Sequence, residues 1–199
     1  MKLKLLLFLI VSCLSQLVNS QNNFSKNHRN FPLIVSLQFN SLSMPFKNMK
    51  ANFSNIGIGI GTEVSHNGNN NWVQQFNVVW YRNKNTGNGL FLYSQAVWRP
   101  HITNNFYTEL KLGAGYMLKS RPTQSFKQES DNWISVGKKG KGLFAIPVGV
   151  SIGHNDYSEK TYVSPFASYQ FIVLKGYNES IPIVPETLIQ VGSRIHFKD

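Results

Sequence analysis

Cysteine is nearly absent from this 199-residue chain: Cys13 is the single one, and it falls in the first twenty residues. A chain processed after residue 20 therefore holds neither a disulfide nor a thiolate metal site, and the small secreted domain stapled by crosslinks is excluded. Acidic residues are also scarce, 9 against 20 basic, for a formal charge of +11. The five histidines show no ligand spacing, so no metal and no other cofactor is expected. Long apolar runs are lacking after Leu5 to Leu14, and that run is too short to span a bilayer as a helix. No internal repeat, linker or low-complexity tract stands out beyond the Asn-rich turn Asn67 to Asn71, and the length suits one compact domain.

What is present begins with an export signature. Lys2 and Lys4 form a positive start, the apolar run follows, and Val18 and Ser20 occupy the −3 and −1 positions of a cleavage site before Gln21. Residues 1–20 thus read as a cleaved signal peptide, 21–30 as a short periplasmic segment and 31–199 as the folded domain. A second processing route exists on paper: Ile10, Val11, Ser12 and Cys13 resemble a lipoprotein box, which would leave Cys13 as a lipidated N-terminus. Cleavage at Ser20 removes Lys2 and Lys4 and leaves 18 basic residues against 9 acidic, a charge of +9. Export makes nucleic acid an improbable partner for that charge; a membrane surface fits it better.

The strongest pattern is alternation. In Phe106 to Lys119, Phe106, Leu110, Leu112, Tyr116 and Leu118 fall on one side of an extended chain, and Glu109, Lys111, Gly113, Gly115 and Lys119 on the other. The segment is about as long as a tilted strand needs to cross a bilayer's apolar core. Helical spacing fails here, since the apolar residues recur at i+2. Eight such strands can be laid down: 31–40, 55–66, 72–81, 89–99, 106–119, 143–153, 161–174 and 187–198. The fourth is ambiguous because both its faces carry bulky groups. Pro147 and Pro165 sit inside two strands, so a bulge or strand end is expected near each.

This predicts an all-β fold, an eight-stranded antiparallel up-and-down transmembrane β-barrel. Connection lengths point the same way, odd-numbered connections being longer than their even-numbered neighbours, as external loops are longer than periplasmic turns. The external loops are then Ser41 to Ser54, Arg82 to Asn88, Ser120 to Gly142 and Lys175 to Glu186. Trp72 and Trp80 share the lipid face of one strand, about 27 Å apart along it and roughly 19 Å along the membrane normal, in keeping with two aromatic girdles. A soluble lipocalin-like binder also builds on eight alternating strands, but it gives no reason for the loop asymmetry or for so many outward Ile, Val and Phe.

With these features the chain resembles the small eight-stranded outer-membrane barrels of the OmpA-like and OmpX-like type. Its low-cysteine, Asn/Lys-rich style is similar to outer-membrane barrel proteins of Bacteroidota. The final strand, Ile189 to Phe197, resembles the signal read by the barrel assembly machinery, although Lys198 and Asp199 follow the aromatic where the family usually ends on it. The resemblance implies an outer-membrane location and insertion by that machinery. No periplasmic domain follows, so anchoring to the cell wall is not implied.

Three constellations carry the chemistry. Glu63, Glu109, Lys111, Lys119 and Arg194 face the lumen, which in eight strands is only wide enough for side chains to fill. Charges there must pair, so a plugging salt-bridge network is expected, with a gated ion path or proton relay as the alternative. For the protein's role as a whole, a narrow channel or transporter for a small apolar ligand is the alternative. The external loops carry Lys47, Lys50, Arg82, Lys84, Arg121, Lys127, Lys138, Lys139 and Lys141 against Glu129 and Asp131, a net +7 suited to the phosphates of lipopolysaccharide. Phe46, Phe126 and Trp133 lie in the same loops. A lipid A-modifying enzyme is the remaining alternative, but adjacent Ser65 and His66 point to opposite faces of a strand. The cluster His154, Asp156, Ser158 and Glu159 lies in a short turn, and no catalytic residue is assigned. Gly57, Gly59 and Gly61 continue as a strand and are no phosphate loop. No protein partner is identified.

Overall fold

A computed structural model describes residues 31–42, 53, 55–66, 70–83, 87–103, 105–120, 123–137, 140–155, 161–177 and 182–197. Residues 1–20, expected to be a signal peptide, and the 21–30 segment lie outside the described residues. Ten strands form: β1 Leu33–Ser41, β2 Ile56–Ser65, β3 Trp72–Tyr81, β4 Gly89–Trp98, β5 Phe106–Lys119, β6 Ser125–Glu129, β7 Asn132–Gly137, β8 Lys141–His154, β9 Tyr162–Lys175 and β10 Ile183–His196. Eight of them close into a barrel in the order β1-β10-β9-β8-β5-β4-β3-β2, and β6 and β7 pair as a separate hairpin. Every neighbouring pair is antiparallel, and β1 is sealed to β10 by a register running from Leu33↔Ile195 to Ser41↔Thr187. The all-β, up-and-down eight-stranded barrel expected from the alternation is the fold observed.

Alternation sorts the side chains into two environments. Leu33, Val35, Leu37, Ile56, Ile58, Ile60, Leu110, Leu112, Val148 and Val150 face outward and are exposed, whereas Ser36, Gln38, Gln75, Gln95, Ser168 and Gln170 are buried inside. The barrel is thus greasy without and polar within. β4, ambiguous from sequence, turns Phe91, Tyr93, Gln95 and Val97 inward and Leu92 and Trp98 outward. Its bulk on both faces has a physical reason: the half of the lumen away from the chain ends is filled by an apolar cluster of Val79, Tyr81, Phe91, Tyr93, Met117, Leu143, Ile172, Leu174 and Leu188.

Two connections depart from expectation. The segment Ser120 to Gly142 is not wholly loop: it contains the β6–β7 hairpin, and β8 already begins at Lys141. The segment Lys175 to Glu186 is partly strand, because β9 and β10 stay paired out to Lys175↔Ile183. That leaves a connection over 176–182, no longer than the 155–161 connection on the other end, so loop asymmetry rests on the first and fifth connections alone.

Pro165 lies one residue past the last β8–β9 pair, Gly153↔Phe166, and stays paired with Ser193 of β10. Pro147 acts differently. The β5–β8 register runs to Leu112↔Val148, resumes at Gly115↔Ala145 without a shift, and skips the two positions between. Both missing pairings require an N–H at residue 147 reaching the Gly113 carbonyl, so one absent donor accounts for both gaps. On its other side Pro147 pairs with Ile172 in an unbroken ladder. There is an interruption, and no bulge.

Candidate functional site

The lumen charges gather at two levels. Near the end bearing both described termini, Arg194 of β10 is the hub. Its Nε donates to Glu63 Oε2 at 3.1 Å, and Nη2 reaches Glu109 Oε1 and Oε2 at 2.7 and 2.9 Å. Nη1 donates to the Tyr107 hydroxyl, and the guanidinium lies 4.5 Å from the Phe166 ring centroid. Arg99 bridges the same carboxylates, Nη2 to Glu63 at 2.7 Å and Nε to Glu109 at 2.7 Å. Lys111 Nζ adds a 3.0 Å pair to Glu109, Ser151 donates to Glu109, and Gln75 donates to Glu63 at 2.9 Å. Strands from around the barrel supply these groups: β2, β3, β5, β8, β10 and the residue just past β4. Three cations face two carboxylates, all buried.

A glutamine layer follows. Gln95 Nε2 donates to Gln170 at 3.0 Å, Gln170 to Gln190 at 2.6 Å, and Gln190 to the Tyr93 hydroxyl at 2.9 Å. Beyond it, among the apolar cluster, Lys119 pairs with Glu186, which also accepts from Asn40 Nδ2 at 3.1 Å and the Tyr81 hydroxyl at 3.2 Å. Of the five charges singled out from sequence, Glu63, Glu109, Lys111 and Arg194 meet in the first cluster and Lys119 stands in the second. Sequence reasoning missed Arg99 and Glu186. Arg99 sits just past the end of β4, and Glu186 closes the segment from Lys175 expected as an external loop; its inward parity with Gln190 and Arg194 was the usable signal.

The rim is described in part. Lys47, Lys50, Lys84, Arg121, Lys138 and Lys139 lie outside the described residues, as does the Lys127 side chain, although its backbone forms part of β6. Arg82 is exposed, and Lys141, also exposed, donates to the Tyr177 carbonyl at 3.0 Å. On the β6–β7 hairpin, Phe126 and Trp133 share a face, with Trp133 68% exposed. Trp72 and Trp80 face outward from opposite ends of β3, and the Trp72 ring lies 6.4 Å from that of Trp98.

The remaining sequence candidates do not assemble into a reactive group. Ser65 points inward and its neighbour His66 is exposed beyond the strand, His154 packs edge-on against Phe106, and Ser158 and Glu159 lie outside the described residues. Gly59 faces the lumen, where a β-carbon would come within 2.4 Å of Gln38 Nε2. Among the described residues, no three His, Cys, Asp or Glu side chains come together as a metal site. The arrangement is built to fill and neutralise a lumen.

A closed eight-stranded barrel with this division of polarity has the fold of the small transmembrane β-barrels of the outer-membrane type. No protein-family model matches the sequence, and no curated protein matches it either. Among solved structures, the chain is similar to Neisserial surface protein A at 13% identity and TM-score 0.53, over 84% of this chain and 97% of that one. Two weaker likenesses are the N-terminal β-barrel domain of Pseudomonas aeruginosa OprF (10% identity, TM-score 0.45, 82% and 96% covered) and the Yersinia pestis outer membrane protein Ail (16%, 0.38, 82% and 99%). At these identities the likeness speaks to fold alone.

Proposed function

We propose that this chain is an integral outer-membrane β-barrel with a structural or surface-interaction role and no catalytic one. In this reading it is exported by its N-terminal signal and inserted by the barrel assembly machinery. Its basic loops then meet the phosphates of lipopolysaccharide. The observation that carries the reading is the inverted polarity of the barrel: exposed Ile, Val, Leu and aromatic side chains around the outside, ion pairs and glutamines inside. A soluble barrel of the lipocalin kind puts its apolar face inward, and an apolar exterior this continuous is stable only against lipid. The filled lumen argues against a conducting path.

Detergent-refolded protein run boiled and unboiled on SDS gels, beside envelope fractions, tests the core of the proposal. Faster unboiled migration with enrichment in the outer membrane is expected; a freely soluble protein with a single band would sink it. Planar-bilayer recordings should show no stepwise conductance. Binding to purified lipopolysaccharide should weaken with salt and fall when the loop lysines are replaced; unchanged binding would remove the lipopolysaccharide element and leave the barrel intact.

A further inference from the structure

The outward face is not uniformly convex. A groove of about 820 Å³, almost wholly apolar, crosses it from Leu33 of β1 to Phe144 of β8. One lip is a row of cross-strand partners that includes Ile60, Leu92, Tyr116 and Phe144. The floor opens where the next row carries small residues, Ser94 paired with Ala114. On the lumen side of this floor, a β-carbon at Gly113 would lie 2.1 Å from the Ser94 carbonyl oxygen. The only interruption among the described barrel ladders, opposite Pro147, adjoins the same floor at Gly113 and Ala114. Two hydroxyls lie in this row: Ser94 accepts from Gln74 Nε2 at 2.5 Å and donates to the Gln75 carbonyl, while the Thr62 hydroxyl is buried without a hydrogen-bond partner.

We infer that this groove is a binding site for a single lipid acyl chain. The inference rests on the membrane reading above, and the occupant follows from place: the groove is continuous with the apolar band that would face the bilayer, and its almost wholly apolar lining calls for a hydrocarbon chain. Its dimensions agree. Five inter-strand steps of ~4.8 Å give a length of about 24 Å. Because the row runs across strands tilted ~45°, that length covers about 17 Å of membrane depth, against ~15 Å for one leaflet of a ~30 Å apolar core. A chain lying in it would run obliquely rather than along the normal, held against Ala114, the smallest outward side chain of β5.

The test uses the full chain in phosphatidylcholine vesicles with a palmitic acid analogue carrying a mid-chain diazirine, and maps the photo-adducts by peptide mass spectrometry. Adducts are expected to concentrate on peptides holding Leu92, Ala114 and Tyr116. Ala114→Phe and, separately, Ser94→Phe should each lower that labelling at least fivefold, while Val191→Phe, on the far side of the band, should leave it unchanged; unboiled gel mobility confirms that each variant is folded. Labelling spread evenly around the band, or unaffected by both groove-filling variants, would overturn the site while leaving the membrane reading in place. No adducts anywhere on the outward face would overturn both.

Discussion

Replacing Arg194 with Met tests whether the lumen cluster holds the barrel together. The side chain is fully buried and makes three contacts with two carboxylates at 2.7 to 3.1 Å. Removing one partner of a buried pair destabilises by about 3–5 kcal/mol. Two features place the loss at the lower end. Arg99 still reaches both carboxylates at 2.7 Å, and the cluster, with three cations to two anions, becomes formally neutral. A loss of about 3 kcal/mol is therefore expected, on the order of a 100-fold shift in the unfolding equilibrium. Urea titration in lipid vesicles followed by tryptophan fluorescence would report it as a lower midpoint at unchanged slope. Arg194→Lys should recover only part, because an ammonium cannot fork between Glu63 and Glu109. Combined with Glu109→Gln, the loss should fall short of the sum of the singles by about 1 kcal/mol or more. A single-variant loss below about 1 kcal/mol, or strict additivity, would refute the view that these charges act as one packed unit.

Lys111→Met should change stability by no more than about 1 kcal/mol, since it removes the surplus charge along with a single 3.0 Å pair; the same titration checks it. Glu186→Gln strands Lys119 among apolar side chains and should lower the unfolding midpoint, with Lys119→Met on the same background restoring much of it. At Gly115 a β-carbon would meet the Leu92 carbonyl oxygen at 2.4 Å, so Gly115→Val should sharply reduce the yield of heat-modifiable protein in refolding. Pro147→Val supplies the missing donor. Its hydrogen bond, about 1 kcal/mol, is offset by a looser unfolded chain, about 0.4–1 kcal/mol. Stability should therefore barely move while the new amide becomes protected in hydrogen exchange; rapid exchange there would contradict the single-donor account of the gap.

Much of the barrel could be read from alternation because a strand's two faces meet different solvents. β5 was delimited from Phe106 to Lys119, where observed and expected bounds coincide. The hairpin β6–β7 escaped notice because an exposed two-stranded ribbon has no buried face to impose a period: Phe126, Lys127 and Gln128 read as loop. Inward direction was legible for Glu63, Glu109, Lys111, Lys119 and Arg194 from parity alone. Which charge meets which was not, because Glu63 and Arg194 lie on strands that come within reach only after closure and are 131 positions apart. Arg99 shows the other limit. It shares the inward parity of Gln95 and Val97, but the fourth strand carries bulk on both faces, so the sequence did not say which of them was inward.

The β1–β10 seam sets an order of events in time. The first barrel strand in the sequence must wait for the last one to find its partner, with the rest of the chain strung between them. Until then the sheet has two raw edges, and hydrocarbon offers nothing to satisfy their amides and carbonyls. A partly threaded chain therefore has no comfortable resting place in the membrane. Insertion should behave as a single all-or-none step, slow because its decisive contact joins the ends of the chain, and a chain cut short before Ile183 should be degraded as an unassembled precursor.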